Sequence, residues 1–489
     1  MKKMRSFISI AILLCLLLAG CSTAQVVAEE PTFAECEDGV DFTAYSAPTL
    51  NTRVGPELED AYRKLAEAGF TKAIALYEGD AWMTGSDIYD TIAQRSEVAQ
   101  EEALTVLDLA QKAGVQYFVR DWSFYGLGRN FKDEIDTKEE FERVISKMFD
   151  ENNLYIDHPA YGGSFGFDEP NVQEMDTIVW QVELYQKYIA QNSDVGGEIF
   201  INLLPSYVGD NSEALSEDND YTYSEYVDYY FAHIAPLLGY VCWDFYPYMS
   251  NGSEYYIRDG FLRNMELMAL KAKEADCEVR AFVQATGDFT GMRNLDNIAD
   301  LRFQIYSGMA FGVREFAYYT YSSPGNEINF TREDGYSLYD YKTDTYTWVY
   351  DAAKIVNNEV HAMEDAYMAY DWAGTMFMNA NEMLDNQLFA NLAEPLQSHD
   401  RMKFLSCEQD VMAGAFTAKD QSNSAKDAFM IVNMADPLEK LDNQVTVQFH
   451  DATHLLLYRL GEKKVVELPS DGVYTFCLDP GEGRFVIPF

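Results

Sequence analysis

The 489-residue sequence is poor in the residues that build disulfide frameworks and metal centres. Its seven cysteines show no CxxC spacing. Cys15 and Cys21 lie in or just after an N-terminal apolar stretch, leaving Cys36, Cys242, Cys277, Cys407 and Cys477, an odd set. A disulfide scaffold and a zinc site are therefore poorly supported. The six histidines are scattered and form no HExxH motif, so neither a metal nor another cofactor is expected. Positive charge is also scarce, with 36 Lys and Arg against 80 Asp and Glu. Such a chain repels a phosphate backbone, which argues against nucleic acid as a partner. No GxGxxG turn follows the first extended run, which weakens a dinucleotide-binding fold. Internal repeats and low-complexity blocks are absent from the sequence.

Aromatic residues are abundant, with 34 Tyr and 30 Phe, and their faces suit both protein cores and the apolar faces of sugar rings. The N-terminus is more specific. Met1 to Arg5 is basic and Phe7 to Leu18 is apolar, a run too short to span a bilayer comfortably, so it reads as a signal peptide. It ends in Leu18-Ala19-Gly20-Cys21, which resembles the bacterial lipoprotein box. That resemblance implies a signal peptide over 1–20 and a lipid on Cys21. The exported protein would be anchored at a membrane, on the cell surface or the periplasmic face. Residues 21–35 read as a polar tether.

From there, extended apolar runs alternate with helical patterns. The runs are Phe42–Pro48, Thr71–Glu78, Val115–Asp121, Gly162–Asp168, Gly197–Pro205, Tyr240–Pro247, Val279–Ala285 and Val313–Tyr321. Between them the spacing predicts helices, among them Tyr223–His233, Ile257–Ala275 and Ile298–Ala310. Eight strand-then-helix units predict a (β/α)₈ TIM barrel over 36–370. Beyond it, short runs separated by Asp, Asn, Gly and Pro predict an antiparallel β-sandwich over 371–489.

In such a barrel, chemistry belongs at the C-terminal ends of the strands. The fourth run ends in Asp168-Glu169 followed by Pro170. Two adjacent carboxylates resist ionising together, a cost that general acid–base chemistry uses. The structural alternative makes Asp168 a helix cap with Pro170 in the first turn. Other strand ends supply Glu78, Asp121, Trp122, Asn202, Asp244, Tyr246, Gln284, Tyr319 and Tyr321. Asp244 and Tyr246 share a face by the two-residue period. Acids, amides and aromatics converging on one mouth are the groups that glycosidic-bond cleavage requires. Arg302 offers Asp244 a structural partner instead.

Phe167-Asp168-Glu169-Pro170, Ile201-Asn202-Leu203-Leu204-Pro205, Trp243-Asp244-Phe245-Tyr246-Pro247, Phe282-Val283-Gln284 and Phe316 to Tyr321 recur in an order that resembles exported bacterial glycoside-hydrolase-like TIM-barrel proteins. Val432-Asn433 and Leu478 to Gly483 are similar to the β-sandwich that closes many such enzymes. The resemblance implies hydrolysis of an extracellular oligo- or polysaccharide, with Glu169 as general acid/base and Asp244 or Asp168 as second carboxylate. It departs from the clan A pattern at two places. Asp168-Glu169 stands for Asn-Glu on strand 4, and Gln284 stands where a nucleophilic Glu is expected on strand 7. Retaining, inverting and substrate-assisted routes all stay open. The last is similar to the hexosaminidases and chitinases, where an Asp-Glu pair works with an Asp or Tyr of strand 6. The rival from another class is a non-catalytic carbohydrate-binding lipoprotein on the same scaffold.

Overall fold

The computed structural model describes residues 29–36, 38–50, 53, 55–74, 97–121, 124–125, 137–149, 153–287, 291–322, 337–340, 343–380, 387–420 and 425–489. The signal segment and Cys21 therefore lie outside the described residues, as do Glu78 and Trp122. Among the described residues no helix is long and apolar enough to cross a membrane.

Eight strands, β1 Asp41–Tyr45, β2 Lys72–Ile74, β3 Gln116–Val119, β4 Tyr161–Asp168, β5 Glu198–Asn202, β6 Tyr240–Trp243, β7 Glu278–Gln284 and β8 Val313–Tyr319, form one parallel sheet. Its order is β5-β4-β3-β2-β1-β8-β7-β6. The two ends meet through a parallel bridge between Leu203 and Trp243. A side chain reinforces that seam: the Tyr240 hydroxyl accepts from Ile201 N at 2.9 Å and donates to Ile199 O at 2.6 Å. The result is the (β/α)₈ barrel expected from the alternation.

The longer helices are α1 Pro56–Glu67, α2 Glu97–Ala113, α3 Lys138–Met148, α4 Val172–Asn192, α5 Tyr223–His233, α6 Phe261–Ala275, α7 Ile298–Ala310 and α8 Trp348–His361. Two boundary expectations change. Helix α4 is capped by Asn171, whose side chain and Glu174 form a capping box, so Asp168 is not the cap and Pro170 precedes the helix. Helix α6 starts four residues later than its periodicity predicts. Tyr255–Ile257 instead pairs with Tyr248–Ser250 in a hairpin, and Gly260, at φ 84°, turns the chain into the helix.

Glu315, Lys72 and Arg280 close the N-terminal end of the barrel. Lys72 Nζ lies 2.8 Å from Glu315 and 2.7 Å from Asp41, while Arg280 grips Glu198 at 2.7 and 3.1 Å. Thr43 donates to Glu315 at 2.6 Å. Burial works against the Glu315 charge, yet Lys72 and Arg280 pull its carboxyl down to about 2. The mouth lies at the opposite end, so Glu315 plays no part there.

The C-terminal region holds two antiparallel sheets. With β9 Tyr370–Met378, β10 Met402–Cys407, β11 Val411–Ala418, β12 Asp427–Asn433, β13 Asn443–Phe449, β14 His454–Arg459, β15 Glu462–Glu467, β16 Val473–Leu478 and β17 Gly483–Pro488, their orders are β9-β11-β12-β17-β14-β15 and β10-β13-β16. Val411, Phe429 and Val486 from one sheet pack with Val445, Val447 and Phe476 from the other. Sequence reading missed β10 and β15. Both are edge strands, and β15 is exposed along nearly its whole length, so neither carries a long apolar run. Helix α7 is buried almost all round because it lies between the barrel and these sheets. Trp372 Nε1 and Thr375 Oγ1 both donate to Ala310 O at its C-terminal end.

Candidate active site

The glycine-rich run of β4 brings the fourth and fifth strands together from the closed end of the barrel towards the mouth. Gly163 sits at φ 146°, and a Cβ there would lie 1.9 Å from Glu198 O. At Gly166 a Cβ would meet Ile199 Cγ2 at 2.3 Å, beside the register shift between Phe165 and Phe167. Only glycine permits this approach. It sets Asp168 directly beside Asn202 in the ladder.

Asn202 is the hub. Its Nδ2 donates to Asp168 Oδ1 at 3.1 Å and to Asp244 Oδ1 at 3.3 Å. Its Oδ1 faces the Cys242 thiol at 4.0 Å, on the side away from the two acids. The Tyr45 hydroxyl donates to Asp168 Oδ2 at 3.2 Å. Asp168 is thus hydrogen-bonded on both carboxylate oxygens. Glu169 follows at φ 51°, a left-handed conformation that costs an L-residue roughly 1–2 kcal/mol. Its N–H bonds Asn202 O at 2.8 Å, which holds that turn in place.

Asp244 is 5% exposed. Burial pushes its carboxyl well above the ordinary carboxylate range, and the charges of Glu169 and then Asp168 push it the same way, while the Asn202 amide offsets part of the rise. Arg302, the structural partner considered for Asp244, is engaged elsewhere, with Glu359 at 2.5 and 3.1 Å.

These groups line a cleft of about 450 Å³, within the size range of small-ligand sites. Of the expected residues, Asp168, Glu169, Asn202, Asp244, Tyr246 and Tyr319 are brought together in its wall. Tyr246 and Tyr319 lie ring against ring at 4.9 Å, and burial raises the Tyr319 hydroxyl to about 12.

Three expected substrate-binding residues lie outside the lining. Asp121 is fully buried and accepts from the Tyr155 hydroxyl at 2.6 Å. Tyr321 is fully buried, its ring against Phe70. The Gln284 side chain is spent on backbone: Oε1 accepts from Tyr248 N at 2.9 Å and Nε2 donates to Arg293 O at 2.9 Å, with Thr286 O and Tyr248 O also in range. It ties the hairpin to the loop after β7.

Sequence reasoning missed Tyr45, Tyr207, Arg258, Phe282 and Met292 in the wall. Tyr45 ends β1 and was within reach of the strand-end rule. Tyr207, Arg258 and Met292 come from connecting segments, for which strand ends give no signal. Among the described residues no cluster of three or more His, Cys, Asp or Glu side chains is arranged to hold a metal ion.

No protein-family model matches the sequence, and no curated protein matches it significantly in sequence. Solved structures do match the fold. A glycoside hydrolase of family 5 from Bacteroides vulgatus superposes with a TM-score of 0.54 at 11% identity, covering 94% of this chain and 90% of that one. A second structure, described as a glycoside hydrolase, gives 0.53 at 13% identity over 94% and 93%. The barrel with its C-terminal antiparallel sheets is a fold shared with glycoside hydrolases. A β-galactosidase from Marinomonas ef1 gives 0.47 at 11% identity, covering 68% of this chain, which spans only 62% of that longer protein.

Proposed function

We propose that this protein is a glycoside hydrolase acting on an extracellular oligo- or polysaccharide, with Glu169 as general acid/base and Asp244 as the second carboxylate. The observation that carries the reading is electrostatic and geometric together. Glu169 and Asp244 line one cleft, and burial first and the Glu169 charge second raise the Asp244 carboxyl. Coupled carboxyls give up their protons in two steps. Between those steps the pair shares one proton, which rests on Asp244 in the free enzyme and passes to Glu169 for leaving-group protonation, freeing Asp244 as the base.

Asp168, bonded by Tyr45 and Asn202, serves in this reading as a positioning acid whose charge helps Asp244 keep its proton. Tyr246 and Tyr319 supply the aromatic wall for the sugar. Export and anchoring through a lipid on Cys21 complete the proposal and rest on the N-terminal sequence alone.

The test is a screen of purified protein against a glycan panel, reading cleavage and binding separately, with Glu169→Gln alongside. Cleavage by the wild type and its loss in the variant support the hydrolase. Binding without cleavage by the wild type favours the carbohydrate-binding lipoprotein instead.

A further inference from the structure

Among the described residues Arg258 has no carboxylate within ion-pair distance. It lines the cleft that holds Asp168, Glu169 and Asp244. Its guanidinium stacks on Tyr207, 3.7 Å from the ring centroid, and Nη2 donates to the Met249 sulfur at 3.1 Å. Nη1 is shielded from solvent and has no hydrogen-bond partner. The backbone N–H of Arg258 bonds Pro247 O at 2.7 Å, which fixes the residue at the end of the hairpin.

Three other arginines of the barrel differ. Arg280 holds Glu198, Arg293 holds Asp300 and Arg302 holds Glu359. Among the described residues Arg258 makes no ion pair, in a chain with 80 Asp and Glu against 36 Lys and Arg. A partly desolvated guanidinium with an unsatisfied N–H and no carboxylate in contact carries a cost. The cost is offset when a ligand brings the anion. Guanidinium matches a planar carboxylate in charge and in geometry. The Tyr207 ring, 40% exposed, offers a sugar an apolar face beside that charge.

We infer that the cleft takes an acidic sugar, with the carboxylate of a hexuronic acid residue received by Arg258 beside Tyr207. This assignment rests on the glycoside-hydrolase reading of the cleft and names the substrate class for it. The three acids do not stand against it. Burial and then the neighbouring Glu169 and Asp168 charges favour the neutral form of Asp244, which lowers the negative charge an anionic sugar meets.

The experiment is a binding titration of the full chain with three matched oligosaccharide sets: neutral, uronate-bearing and sulfated. The Glu169→Gln variant is included so that turnover does not obscure affinity. The expected result is that uronate-bearing glycans bind at least about tenfold tighter than neutral counterparts, and that Arg258→Gln removes this preference. Methyl esterification of the uronates gives a readout that needs no variant, and it should weaken wild-type binding by a similar factor. Equal or tighter binding of neutral glycans, no binding of any uronate, or a preference that survives in Arg258→Gln or after esterification overturns the assignment. Preference for the sulfated set overturns the uronate in favour of a sulfate ester. Arg258-dependent uronate binding without cleavage leaves this inference standing and removes the hydrolase. Cleavage of neutral glycans that is indifferent to Arg258 does the reverse.

Discussion

Asn202 at the end of β5 donates one amide nitrogen to both Asp168 and Asp244, joining the carboxyls of the fourth and sixth strands across the barrel's closing seam. This single side chain spans the place where the sheet ladder is thinnest, a lone bridge between Leu203 and Trp243. Replacing Asn202 with Ala leaves both carboxyls without that donor. The expected outcome is a loss of about 1–3 kcal/mol in chemical denaturation and a larger fall in kcat than in substrate affinity. An unchanged kcat would mean that the amide positions nothing catalytic.

Glu169→Gln separates proton donation from the rest of the chemistry. Hydrolysis of a natural glycoside should fall by about 10²–10⁴-fold, with an unchanged melting curve. An aryl glycoside whose leaving group needs no protonation should lose far less. Equal losses on both substrates would assign Glu169 to the anomeric carbon rather than to the leaving oxygen.

Asp244→Asn should abolish turnover on both substrates yet leave the protein at least as stable as the wild type at neutral pH. The sign follows from its raised carboxyl. From about pH 4 upward, the unfolded chain has released a proton that folded Asp244 still holds, so wild-type stability falls as pH rises through that window. The variant has no such proton. Its stability relative to wild type should therefore grow with pH in denaturant titrations. A variant less stable than wild type at every pH would contradict the burial cost.

Glu315 gives the opposite dependence. Its carboxyl is held down to about 2 by Lys72 and Arg280, so its contribution is complete above the ordinary Glu range and is lost as pH falls towards 2. Glu315→Gln leaves two buried cations short of a partner and should cost about 3–5 kcal/mol at neutral pH. The gap from wild type should narrow in acid. Activity per folded molecule should not change, because this cluster closes the end of the barrel away from the mouth.

Gly163→Ala tests the close approach of β4 to β5. A Cβ 1.9 Å from Glu198 O has nowhere to go except by moving backbone. Loss of soluble folded protein, or a large fall in melting temperature, is the expected result. Normal melting would show that β4 can shift without disturbing its neighbour.

The sequence by itself determined the architecture. Strands buried on both sides must be near-continuous apolar runs and helices with one face on them must be amphipathic, so Tyr223–His233 was legible to the residue. The rule that barrel chemistry sits at strand ends then found Asp168, Glu169, Asn202, Asp244, Tyr246 and Tyr319, all of which line one cleft. The same rule could not tell a mouth residue from one that turns inward to bind backbone, which is why Gln284 and Tyr321 were expected there. Only the tertiary structure decided that Asn202 bridges two acids, that Asp168 is bonded on both oxygens and caps no helix, and that Arg258 reaches the cleft with an Nη1 that has no hydrogen-bond partner. Periodicity records which face of an element is buried. Contacts between side chains from separate strands and loops depend on how the barrel closes, and no local pattern carries that information.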